Sequence, residues 1–239
     1  MKQVFITGAS SGLGKALAKA YLENGDQVHG LSRTCSIESA NYIHHQIDLS
    51  DISACDKFSF QLQAEAEAYI LINNAGTLGE MKRLGFWSAE AMQSVFQLNV
   101  IAPLILSQQF YNAPSSSEKR RFVLHIGSGA GENPLDGWMQ YCASKAALHM
   151  ASRVMEEELK LGNKPYFKQR VLSPGVIDTP MQTEIRKAEK QHFSQLERFK
   201  EYKRTDGLKD ADETASKIIR NFNSLFASEE VIHYLKNYQ

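Results

Sequence analysis

Apolar positions along the chain fall into two alternating kinds of run. Short runs of strand length occur at Val4-Phe5-Ile6, residues 27–31, residues 42–47, Tyr69-Ile70-Leu71-Ile72, residues 122–126 and Gln169-Arg170-Val171-Leu172. A strand covered on both faces needs apolar side chains at successive positions, so the unbroken runs point to a buried sheet. Between them lie stretches with helical spacing at 14–24, 51–66, 88–112 and 141–161, with Ser88 placed to cap the third. This alternation argues an α/β domain with a parallel sheet and helices on both faces. No linker interrupts it, so residues 1–239 read as one domain. Residues 181–207 break the rhythm. Their apolar positions Met181, Ile185, Ala188, Phe193, Leu196, Phe199 and Tyr202 recur at steps of three to five against a mostly charged remainder. That spacing predicts an amphipathic helix. A segment leaving the C-terminal end of a strand in such a sheet lies over the ligand crevice, so this insertion is expected to be a helical substrate lid.

With 239 residues and 43% hydrophobic positions, the chain can bury a large core. Lys plus Arg is 27 and Asp plus Glu is 27, which leaves no electrostatic footprint for nucleic acid or an anionic membrane. No unbroken apolar run approaches the ~18 residues of a membrane span. The first strand begins too early for a signal peptide. Cys35, Cys55 and Cys142 are an odd set without close pairing, and read as free thiols of the cytoplasm.

The first strand runs into Thr7-Gly8-Ala9-Ser10-Ser11-Gly12-Leu13-Gly14, which opens the first helix. Glycines there allow a tight turn and close approach of a pyrophosphate, and the helix N-terminus offers unpaired amides to it. After the second strand, where a site for NAD carries an acid against the ribose 2′-hydroxyl, stands Leu31-Ser32-Arg33-Thr34. Arg33 suits a 2′-phosphate, so NADP(H) is the expected cofactor. Asp48 follows the third strand and reads equally as an acceptor for adenine or as a helix cap. Tyr141 and Lys145 stand four apart on a helix and share a face. An ammonium beside a phenol stabilises the phenolate, which suits a general acid for a carbonyl oxygen. Ser128 ends the fifth strand, and Asn73-Asn74-Ala75-Gly76 ends the fourth. Asn99 lies inside a long helix with Pro103 four residues on; lacking an N–H, Pro103 frees the Asn99 carbonyl to hold a water.

Together these motifs resemble the short-chain dehydrogenase/reductase family. The matches are residues 7–14, Asn73-Asn74-Ala75-Gly76, Asn99, Ser128, Tyr141-Cys142-Ala143-Ser144-Lys145, and Ser173-Pro174-Gly175 followed by Thr179, in the family's order. The resemblance implies a Rossmann-type, doubly wound, seven-stranded parallel sheet and nicotinamide-dependent oxidoreduction. It implies roles for Tyr141 as acid/base and for Lys145 in holding the ribose and lowering the tyrosine pKa. Ser128 would orient the carbonyl, and Asn99 would anchor a relay water. It places Gly8, Ser10, Ser11, Gly12, Leu13, Gly14, Arg33, Asp48, Asn74, Ala75, Gly76, Pro174, Gly175, Val176 and Thr179 along the cofactor. One departure is Gly127, where many members carry a serine. Residues 31–34, Gly137-Trp138, Met181-Gln182 and Glu197-Arg198-Phe199 look more narrowly like a bacterial group of benzil reductases akin to sepiapterin reductases.

The expected activity is NADPH-dependent reduction of a ketone or diketone, with Leu135, Trp138, Met181, Phe193 and Phe199 forming an aromatic-tolerant pocket. An NADP-dependent alcohol dehydrogenase and a pteridine reductase are the alternatives within the class. An NADP(H)-sensing regulator would be expected to lack Tyr141 or Lys145, and both are present. Neighbouring His44 and His45 point to opposite faces of a strand, so no metal site is expected. Ala143, Ala146, Ala147, Ala151 and Val154 form an apolar stripe that either packs on the sheet or serves a homodimer or homotetramer seam.

Overall fold

The computed structural model describes residues 1–115 and 119–239. Seven strands form one sheet: β1 (Gln3–Thr7), β2 (Gln27–Ser32), β3 (Tyr42–Gln46), β4 (Tyr69–Asn73), β5 (Arg121–Ile126), β6 (Phe167–Ser173) and β7 (Ile232–Tyr234). Their order is β3-β2-β1-β4-β5-β6-β7, and every pairing is parallel. The direction of winding reverses between β1 and β4, so a crevice opens at the C-terminal ends of those strands.

Alternate residues of the central strands feed two cores. Val4, Ile6, Ile70, Ile72, Leu124 and Ile126 pack with α1 (Gly12–Glu23), α8 (Ala211–Arg220) and α9 (Phe222–Ala227) on one side. Phe5, Tyr69, Leu71 and Val123 pack with α2 (Ile52–Lys57) and α4 (Ala102–Asn112) on the other. The period of two along a strand thus becomes a three-layer sandwich.

Two helices differ from the sequence pattern. The expected helix over 51–66 is only α2, six residues long and capped by Asp51. Beyond it the chain extends because Phe60 inserts edge-on among Phe5, Phe58 and Phe110. Gln3 then holds it there, donating to the Gln61 carbonyl and accepting from Gln63 N–H. The expected helix over 88–112 is present, with Ser88 accepting from Ala91 N–H as its cap. It runs as α3 (Ala89–Phe96), a π turn (Gln97–Ile101) and α4. By length and mean hydropathy the run Ala89–Asn112 matches a membrane span. Its buried face, with Asn99, Pro103 and Ser107, bonds to or packs against the rest of the domain.

The segment after β6 holds two short helices, α6 (Pro180–Arg186) and α7 (Leu196–Arg204), with turns between them, and not one amphipathic helix. Lys209 closes the excursion by pairing its backbone with Val176 and Asp178. The strand β7 and helices α8 and α9 follow.

Candidate active site

Four strand ends converge on the crevice. At the first, Gly8 (φ +68°) and Gly12 (φ +52°) adopt left-handed backbone. A Cβ on Gly14 would lie 2.3 Å from the Gly8 carbonyl oxygen, so the turn packs directly on α1. Ser11 at the N-cap makes no side-chain cap bond, which leaves first-turn amides of α1 open to an anion. Ser10 accepts at its carbonyl from Ser36. Leu13 sends its side chain into the core, so only its main chain is left to the turn. The Thr7 hydroxyl accepts from Asn74 N–H (2.9 Å) and Ala75 N–H (3.0 Å), while Asn74 Nδ2 returns a bond to the Thr7 carbonyl (3.0 Å). These bonds tie β1 to β4 at the reversal point.

Arg33 is exposed just beyond β2 and has no ion-pair partner among the described residues. Asp48 is exposed too, and hydrogen bonds from Ser50, with a smaller contribution from the Arg33 charge, hold its carboxyl below the usual range. Asp51 caps α2, which removes the cap reading for Asp48. At the far loop, Gly175 has φ +93°, Lys209 Nζ lies 3.4 Å from the Pro174 carbonyl, and Val176 is half-buried. A Cβ on Gly12 would meet the Thr179 methyl at 3.2 Å, so Thr179 closes onto the glycine turn. Glycine turn and open helix amides together fit the pyrophosphate of a dinucleotide.

Tyr141 and Lys145 lie one turn apart on the inner face of α5 (Met139–Leu161). Lys145 donates to the Ile126 carbonyl (2.8 Å), and its nitrogen is 5.7 Å from the Tyr141 ring centre. Burial pushes Lys145 down to about 8. Burial also raises the Tyr141 pKa, opposed by a hydrogen bond with Ser128. The lowering interaction on Tyr141 comes from Ser128, where it was expected from Lys145, whose ammonium faces the Ile126 carbonyl. Ser128 also caps the short turn Gly129–Gly131 by accepting from Ala130 N–H.

Asn99 is 1% exposed and works through its side chain. Its amide exchanges two 2.8 Å bonds with the Thr77 backbone and donates to Ser144 (3.0 Å). A Cβ on Gly76 would sit 3.2 Å from Asn99 Oδ1 and 3.8 Å from Lys145 Nζ, so the loop after β4 must stay bare here. Behind Ser128, His149 fills the space between Gly127 and Gly131: a Cβ on either would come within 2.9 Å of its ring. The linking roles of Thr7, Thr77, Ser144 and His149 were not singled out from the sequence. Thr7 had a signal, standing directly before the glycine turn. The other three become visible only when distant segments meet.

Trp138 meets Tyr141 edge-on (5.6 Å) and stacks on Phe193 (5.4 Å, 24°), with Phe199 at 5.4 Å from both Trp138 and Phe193. Leu135 and Met181 are half-buried against this group. Phe193 is 0% exposed and lies in a turn, so it backs the Trp138 wall and does not line an open cavity. A separate hollow of about 570 Å³ at the β3 edge is lined by His44, His45, Asp48 and Phe58 among others, and none of the catalytic candidates borders it.

A family model for the short chain dehydrogenase matches residues 2–190. The chain belongs to the short chain dehydrogenase family. It is an oxidoreductase. It is 39% identical over 225 residues to a benzil reductase ((S)-benzoin forming) of Bacillus subtilis, covering 92% of each chain. It is 31% identical to sepiapterin reductase of Xenopus laevis, across 74% of this chain and 73% of that protein. A short chain dehydrogenase/reductase structure from Saccharomyces cerevisiae superposes with a TM-score of 0.81 at 19% identity, covering 98% of this chain and 96% of the other, a likeness of fold. Members of this family use nicotinamide dinucleotides, and the cradle described above suits one.

Proposed function

We propose that this chain is an NADPH-dependent carbonyl reductase of the cytoplasm, acting on aromatic ketones or vicinal diketones. The observation that carries the reading is Trp138 set edge-on against Tyr141, with Phe193 and Phe199 packed behind it. The benzil reductase name borne by the Bacillus subtilis relative supports the same class. When bound, NADPH would supply the hydride. Gly8, Gly12 and the first amides of α1 would receive its pyrophosphate, Arg33 its 2′-phosphate, and Asp48 its adenine. Asn74, Ala75 and Gly76 would border its far half, with Pro174, Gly175, Val176 and Thr179 along its nicotinamide.

The protein's own groups handle the proton. Ser128 holds the substrate oxygen beside Tyr141, and Tyr141 donates its phenolic proton as the alkoxide forms. Lys145 returns a proton to the phenolate, and Asn99 steadies the loop and a relay water through which Lys145 is recharged. The segment 181–207 serves as the substrate lid. Of the α5 stripe, Ala146 and Val154 are exposed while Ala143, Ala147 and Ala151 are half-buried; Met150, exposed one turn from both Ala146 and Val154, extends that outer face and supports self-association.

A carbonyl panel scored by NADPH consumption tests this reading. Benzil and related aromatic diketones are expected to exceed small aliphatic aldehydes in kcat/KM. Preference for small aldehydes, or for NADH over NADPH, would overturn it.

A further inference from the structure

Loops leaving β4, β5 and β6 meet over Tyr141, and one carboxylate joins all three. Asp136, on the loop after β5, accepts from Arg83 Nε (3.2 Å) and Nη2 (2.8 Å) on the loop after β4. It also accepts from the Ser194 amide (3.0 Å) and the Ser194 hydroxyl (2.7 Å) on the segment after β6. The next residue, Gly137, has φ +75°, and a Cβ there would stand 2.3 Å from the His192 carbonyl oxygen. Phe193 therefore lies between two residues, His192 and Ser194, whose backbones are held against the β5 loop. Its ring stacks on Trp138, and Trp138 meets Tyr141 edge-on.

We propose that Asp136 is a positioning residue for the reaction. By pinning Ser194 it presses Phe193 onto Trp138, and through Trp138 it fixes the ring of Tyr141. Arg83 in turn orients Asp136. This rests on the reading that Tyr141 is the proton donor and that the aromatic wall borders the carbonyl. An exposed ion pair by itself holds little, and the Arg83–Asp136 pair is half exposed. The Ser194 amide makes the difference, because it fixes backbone directly beside Phe193. The glycine cradle shares no bond with this latch, so the two halves of the site separate experimentally.

The chain has two tryptophans, Trp87 and Trp138. Trp87→Phe leaves Trp138 as the sole reporter, and Asp136→Ala, Ser194→Ala and Arg83→Gln are then compared in that background. In Asp136→Ala, acrylamide quenching of Trp138 should at least double. KM for benzil should rise tenfold or more with a several-fold fall in kcat, and KM for NADPH should stay within twofold. Ser194→Ala and Arg83→Gln should move the same quantities in the same direction by less, and Asp136→Glu should recover part of the loss. Should Asp136→Ala fail to fold, the two milder variants decide. Unchanged quenching, or a KM for NADPH that rises with the KM for benzil, would overturn the proposal. If the parent turns over no benzil, the substrate reading fails, while the quenching series still decides the latch.

Discussion

Tyr141 and Lys145 are buried together, and burial moves them in opposite directions: the phenol keeps its proton more firmly and the ammonium gives its proton up more readily. With Lys145 at about 8, it carries its proton below that pH and loses it above. In the proposed reaction a proton reaches the carbonyl through Lys145, so kcat for reduction is expected to be flat on the acid side and to fall as pH rises through about 8. A pH–rate profile checks this; a rate that rises there would contradict the assignment. Tyr141→Phe should lower turnover by ~10²-fold or more with cofactor binding retained, as loss of a positioned acid does. Arg33→Asp should weaken NADPH by about 10- to 150-fold, the range of a charge-assisted pair worth roughly 1.5–3 kcal/mol. Titration of cofactor fluorescence reads it directly, and NADH binding should not suffer. These residues were legible in the chain because each sits at a strand end or one helical turn from a partner. The direction of the Tyr141 shift was not legible, because it follows from burial.

The segments that misread are those where distant contacts override local spacing. Residues 51–66 carry helical periodicity, yet Phe60 gains more by entering the aromatic cluster of Phe5 and Phe110 than by continuing α2. The excursion after β6 carries one apolar stripe, yet it breaks into α6 and α7 with Phe193 in the turns between them. The three C-terminal elements gave no assignment from residue pattern alone; β7 has only three residues, and only the family resemblance implied a seventh strand. The π turn at Asn99 was foreshadowed by Asn and Pro inside a helix, but its hold on Thr77 needs the fold. A test of the β5 loop follows from Gly137. An alanine there faces both left-handed backbone and the His192 carbonyl, so Gly137→Ala should cost about 1–3 kcal/mol. For a chain of this size that is a fall in Tm of roughly 2–4 °C per kcal/mol. Scanning calorimetry measures it, and limited proteolysis should show cleavage between residues 181 and 207 increasing in the variant.

Several histidines stay neutral inside the domain. His29 and His149 are pushed down to about 4, and His125 to about 3, mainly by burial. Unfolding returns them to about 6.5, the ordinary value. Between those limits the unfolded chain binds more protons than the folded one, so stability falls as pH drops from 6.5 toward 4, and the histidines contribute no loss above 6.5. Denaturant midpoints measured from pH 7 to 4 should decline with a slope that His125→Asn makes shallower. For self-association through α5, Met150→Glu is expected to convert the assembly to a smaller species in sedimentation, since Met150 is 57% exposed one turn from both Ala146 and Val154.

His149 and the two glycines that flank it bear on how this sequence can diverge. A Cβ at position 127 would stand 2.5 Å from Val171 Cγ1 and 2.9 Å from the imidazole, so room for a side chain there needs both neighbours to give way. Gly127→Ser should be harmful alone, and His149→Ala should relieve it less than His149→Ala combined with Val171→Ala. Exchange between the two states thus passes through a less fit intermediate. Among relatives, a serine at the position of Gly127 should accompany smaller residues at the positions of both Val171 and His149.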